Sequence, residues 1–169
     1  MNSAPFVHNL IICSNVLIRK DGKYLLSKRS PNKKYAPNFI HPFGGKIDKG
    51  ENPYVGACRE IKEELGIEIH NLKVEAVVME IKPDDKRDEN WLVFYFSADY
   101  KSGDVKTTEE GEVVYLTPDE IKNSKLFPSV KGIINNILNP NDGMVFTTNN
   151  YQGFEIGMKE LSKNICVVK

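Results

Sequence analysis

Residues 45–67 read GKIDKGENPYVGACREIKEELGI, and the reading of this stretch governs the rest of the chain. Asn52 can cap a helix, and Pro53 after it suits the first helical position, where its missing N–H is no loss. Gly66 suits the position just past a helix end, where the backbone turns left-handed. The spacing therefore predicts a helix between them. At about 100° per residue, Tyr54, Val55, Cys58, Ile61 and Leu65 fall on one apolar face. Glu60, Glu63 and Glu64 gather roughly opposite, at spacings that bring them together. Three crowded acids with only Lys62 beside them repel one another unless a cation sits among them. Oxygen ligands of this kind suit Mg²⁺, with Mn²⁺ as a substitute. A solvated acidic face is the alternative that these residues alone leave open.

The order of residues narrows the choice. The segment resembles the Nudix box of the MutT-related Nudix hydrolases, G-x5-E-x7-R-E-U-x-E-E-x-G-U, where U is a bulky aliphatic residue. Gly45, Glu51, Arg59, Glu60, Ile61, Glu63, Glu64, Gly66 and Ile67 fill every specified position. The resemblance implies an α+β Nudix fold, a mixed sheet sandwiched between helices. It also implies metal ligation by Glu60, Glu63 and Glu64 with the Gly45 carbonyl. Arg59 would pair with box glutamates, Glu51 foremost, and tie loop to helix; an ordinary i,i+4 ion pair with Glu63 is its plainer role. Gly44 and Gly45 would let the backbone approach a diphosphate closely. Where many relatives have Pro-Gly-Gly, this chain has Phe43-Gly44-Gly45-Lys46, a form similar to that of enzymes acting on oxidised purine nucleoside triphosphates.

Cleaving a phosphoanhydride requires charge neutralisation, an activated water and in-line approach. The resemblance leaves the general base open. Glu63 and Glu64 are candidates, and Glu109, Glu110 and Glu112 form a second acidic set that could equally be a solvated turn. Among basic residues, Lys28, Arg29, Lys33 and Lys34 cluster near the end of the second predicted strand, and Lys46 sits in the glycine loop. Arg29 is the candidate phosphate contact, since a guanidinium grips phosphate through two donors. A nucleobase needs an aromatic face. Phe43 and Trp91 are the candidates, drawn from a set that also holds Tyr35, Phe39, Phe94 and Tyr95. His8, His41 and His70 have no evident partner in sequence and are expected to be structural.

Composition sets the outer limits. The chain has 169 residues, 40% of them hydrophobic, enough for one domain with a sizeable core. Residues 1–169 are read as that single domain, with residues 144–169 as a C-terminal strand extension. Lys plus Arg and Asp plus Glu number 23 each, so no global charge points to nucleic acid or membrane. Cys13, Cys58 and Cys166 are expected to be buried free thiols. The apolar run at residues 7–18 lacks a basic leader and contains Asn9, Ser14 and Asn15, so it is expected to be a strand, and the cytoplasm is the expected location.

Strands are predicted at residues 7–19 and 23–28, joined at Asp21-Gly22, and at residues 39–43, 74–81, 91–100 and 113–116. Thr117-Pro118-Asp119-Glu120 predicts a capping box opening a short helix. A second late helix is expected over residues 129–138, ended by Asn139-Pro140. The segments at 145–148 and 165–168 are expected as late edge strands, either pairing with a second copy in a homodimer or forming a hairpin that covers the chain's own sheet. The expected reaction is Mg²⁺-dependent hydrolysis of a nucleoside triphosphate, oxidised ones included, to monophosphate and pyrophosphate. ADP-ribose or a nucleotide sugar is the alternative substrate, with Pro83 as its pointer. A nucleotide-binding module without catalysis is the other class, but such modules lose box glutamates and none is lost here.

Overall fold

The computed structural model describes residues 9–33, 36–81, 89–106, 111–139, 143–152 and 159–168. Strand β1 (Leu10–Lys20) turns back into β2 (Lys23–Arg29) through Asp21 and Gly22, whose φ angles of 51° and 76° are those of a tight two-residue hairpin turn. The single strand expected over residues 39–43 is two. Pro42 has no N–H to give a ladder, so β3 (Ile40–His41) stays with β2, while β4 (Phe43–Lys46) pairs with β1.

Helix α1 (Pro53–Leu65) begins and ends where its caps predict. The Asn52 side chain accepts from Val55 N–H at 3.0 Å, and Gly66 adopts φ 73°. Its buried face differs from the expected one: Gly56, Ala57, Ile61 and Leu65 face inward, while Tyr54 and Val55 are 53% and 48% exposed. Gly56 explains the rotation. A Cβ there would lie 2.5 Å from Ile47 Cδ1, so the small residues of the first turns press against the glycine loop.

Strand β5 (Glu68–Ile81) starts well before residue 74 and carries register shifts against β6 (Asn90–Ser102), irregularities that hide its first half from a period-two pattern. The short β7 (Gly111–Leu116) lies against β2. Next come α2 (Pro118–Lys122), with its Thr117–Glu120 capping box formed, and α3 (Pro128–Leu138). Strands β8 (Met144–Gln152) and β9 (Lys159–Val168) complete the sheet. Its order is β3-β2-β1-β6-β5-β8-β9, with β1 parallel to β6 and β5 parallel to β8. Only β9 of the late pair is an edge; β8 is interior, against the expectation of two edge strands.

The sheet is covered on both faces. One carries Leu17, Ala76, Val78, Val93 and Val145 beneath Ile121 of α2 and Val130, Ile133 and Ile137 of α3. The other carries Val16, Ile18, Phe96 and Ala98 beneath Ala57, Ile61 and Leu65 of α1. The cysteines divide: Cys13 is buried and Cys58 half-buried, but Cys166 is exposed, because it stands on edge strand β9, beyond the strands α1 packs on. Among the described residues no helix is long and apolar enough to cross a membrane.

Candidate active site

The glycine loop and α1 fit together through atoms rather than through general packing. Strand β4 pairs with β1 so that Gly44 faces Asn15 and Gly45 faces Ser14. Gly44 has φ 144°, and a Cβ there would run into the Ser14 carbonyl. Its N–H donates to Glu64 Oε2 at 3.2 Å. At Gly45 a Cβ would lie 2.5 to 2.8 Å from the Glu60 carboxyl group, so the absent side chain is what lets Glu60 reach the loop backbone. Ser14 Oγ, at the position paired with Gly45, is buried and has no hydrogen-bond partner.

Arg59 binds the acids into one unit. Its Nε and one terminal nitrogen donate to both oxygens of Glu51 at 2.9 and 3.0 Å. The other terminal nitrogen donates to Glu60 at 2.9 Å and to Glu63 at 3.0 Å. A further bond reaches the Lys46 carbonyl at 3.0 Å. The expected pairing with Glu51 and the plainer one with Glu63 are therefore both present. The Arg59 guanidinium holds the Glu51 carboxyl below the usual range, and Glu51 in turn raises the proton affinity of Arg59. Glu63 is 61% exposed, whereas Glu60 is 16% exposed. As arranged, no three His, Cys, Asp or Glu side chains among the described residues converge on one point for an ion.

Across the loop from α1 lies a cavity of about 270 Å³. Arg29, Phe43, Gly44, Gly45, Lys46, Glu64 and Trp91, all predicted as site residues, line it. Trp91 is half-buried, its Nε1 donating to Glu89 at 3.2 Å. Phe43 is 2% exposed and belongs to the core cluster under α1, so its ring is committed to packing. Glu112 stands elsewhere, exposed on β7 and 4.0 Å from Lys28. Glu109, Glu110, Lys34, Tyr35, His8 and Pro83 lie outside the described residues.

Tyr95, from the wider aromatic set, lines the cavity too, as do several residues not expected at the site. These are Cys13, Asn15, Ser27, His41, Glu80 and Phe127. His41 has partners after all: Nδ1 is 2.7 Å from the Pro42 carbonyl, and its ring meets Phe127 edge-on at 5.3 Å. Burial pushes its imidazole down to about 4, so at neutral pH it is an uncharged wall. The usable signal was strand phase. Cys13, Asn15 and Leu17 alternate inward on β1, and Glu80 interrupts the apolar run Val77-Val78-Met79; a polar residue at an inward phase marks a lined cavity or a buried network.

Known proteins share both sequence and fold with this chain. The family model described as NUDIX domain matches residues 11–136. An uncharacterized Nudix hydrolase of Bacillus subtilis, YvcI, is 32% identical over 117 residues, covering 68% of this chain and 71% of the relative. Among solved structures, the mutator MutT protein from Bacillus halodurans superposes with a TM-score of 0.78 at 21% identity, covering 92% of this chain and 97% of that one. An ADP-ribose pyrophosphatase from Streptococcus suis gives a TM-score of 0.58 at 14% identity, covering 83% and 98%. At those identities the two structures speak for the fold. The chain belongs to the Nudix hydrolase family and is a pyrophosphohydrolase.

Proposed function

We propose that the protein hydrolyses a nucleoside triphosphate, oxidised purine nucleotides included, to the monophosphate and pyrophosphate. The supporting observation is the convergence of Arg29, Gly44, Gly45, Lys46, Glu64 and Trp91 on one cavity. Its polar rim suits phosphates and its aromatic wall suits a base. Arg29 and Lys46 supply positive charge for the phosphate oxygens, and Trp91 offers the stacking face that Phe43 cannot.

The donor set fits a hard divalent cation. Glu60 and Glu64 both lie against the glycine loop, Glu60 at Gly45 itself, and Ser14 Oγ is an unpaired oxygen on the residue paired with Gly45. Mg²⁺ is bound through few carboxylates and completes its shell with water and phosphate, so a sparse set suffices. Glu60, Glu64 and Gly45 would hold it, with Glu63 joining on release from Arg59. A bound ion there supplies charge neutralisation at the diphosphate and makes water more acidic. The residues do the rest. Arg59 fixes Glu51 and Glu60 against the loop, and Glu63 or Glu64 takes the proton from the attacking water.

The test is a substrate panel with Mg²⁺ or Mn²⁺: ordinary and 8-oxo purine triphosphates, ADP-ribose and sugar nucleotides, with products resolved by ion exchange. Triphosphate turnover yielding pyrophosphate supports the reading, whereas turnover confined to ADP-ribose or a sugar nucleotide replaces it. Normal turnover in both Glu60→Gln and Glu64→Gln would sink the metal assignment.

A further inference from the structure

The cavity wall contains a carboxyl group that the hydrolytic chemistry does not use. Glu80 is 2% exposed yet lines the cavity, on the opposite side of the sheet from α1. On β6 its register neighbour is Trp91, and on β8 it is Asn149, itself buried. The Ser129 hydroxyl of α3 hydrogen-bonds it, and Tyr95 Oη lies 3.0 Å from that hydroxyl. An aromatic ring and a carboxyl group thus stand side by side on adjacent strands.

Burying a carboxyl group in an apolar wall is costly unless its oxygens gain donors. Burial pushes the Glu80 acid up to about 7, and Ser129 offsets this only in part. A ligand that brings two N–H groups to the carboxylate would offset that burial. Among nucleobases, guanine presents a ring N–H and an exocyclic amino group side by side, matching the two oxygens of a carboxylate. Adenine sets its amino group beside an acceptor nitrogen, and hypoxanthine has no amino group there.

We propose that Glu80 is the base-reading residue, its carboxylate accepting from the paired N–H donors of a guanine-type base that lies against Trp91. This assignment rests on the triphosphate reading above. Its energetic logic is asymmetric. A site built to receive two donors discriminates against a base lacking one, because an oxygen is then left buried and unpaired.

The experiment measures kcat/KM for dGTP, dITP and dATP with the full chain, divalent cation present, in wild type and Glu80→Gln. The amide introduced by the substitution would turn an N–H toward donors that need an acceptor. Wild type is expected to prefer dGTP over dITP by about tenfold or more. In Glu80→Gln that preference should shrink to within about threefold, chiefly through a raised KM for dGTP. A structural role alone would lower all three nucleotides together. The wild-type comparison alters the contact from the nucleotide side and needs no variant to fold: equal use of dGTP and dITP overturns the assignment. Retention of the preference in a folded Glu80→Gln protein overturns it as well. Cleavage of ADP-ribose with no triphosphate turnover would instead remove the triphosphate reading itself, and the base assignment with it.

Discussion

Two neighbouring glycines do different work, and substitution separates them. An added methyl at Gly44 meets backbone, the Ser14 carbonyl, at a φ of 144° that other residues rarely adopt. Gly44→Ala should therefore lower the melting temperature, with a cost of about 2 kcal/mol or more. At Gly45 the nearest atoms to the methyl are those of the Glu60 carboxyl, a side chain that can yield by giving up its bond to Arg59 rather than by moving backbone. Gly45→Ala should stay near wild-type stability and lose activity by about a hundredfold. Thermal melts read beside turnover decide the matter, and equal melting temperatures for the two variants would contradict it. Arg59 makes a similar point about shape. Its fork reaches Glu51, Glu60, Glu63 and the Lys46 carbonyl at once, which a lysine cannot do. Arg59→Lys is expected to keep the charge and still lose about tenfold or more in kcat/KM.

Helix α1 stands on its own signals. Asn52 accepts from Val55 N–H, so Asn52→Ala should cost about 1 kcal/mol in urea unfolding, with no change in the slope of the transition. Such signals explain what was legible: Asn52, Pro53 and Gly66 act within one turn of where they stand, as do Asp21-Gly22 and the Thr117–Glu120 box. The box residues were legible for the same reason, being ordered along one loop and helix. The inward face of α1 was not, because it depends on Gly56 meeting Ile47 across the loop. Pro42, read as part of a strand, splits it because its neighbours seek different partners. The cavity wall was the least legible. Asn15, Ser27, His41 and Glu80 come from four strands, and only the sheet order makes them neighbours.

On the scale of the whole molecule, two buried titrating groups oppose each other. Glu80 in the folded chain keeps its proton up to about pH 7, whereas an unfolded carboxyl has released it near 4.5. Stability therefore falls as pH rises through that window, by roughly 3 kcal/mol at most. His41 is held neutral down to about 4 against an ordinary 6.5, so it adds stability as pH rises between those values. The two slopes partly cancel in wild type. Glu80→Gln removes the falling one, so its advantage over wild type should be small at pH 5, grow through pH 7 and level off by pH 8. Urea midpoints across that range test this, and a constant offset would refute it. The sheet order also sets a sequence of assembly. The glycine loop pairs with β1, but the strand bearing Glu80 stays an open edge until β8 arrives, paired Glu80 to Asn149. In a chain made from its N-terminus, the residues that frame the glycine loop are therefore all present before the partner strand that closes over the Glu80 wall.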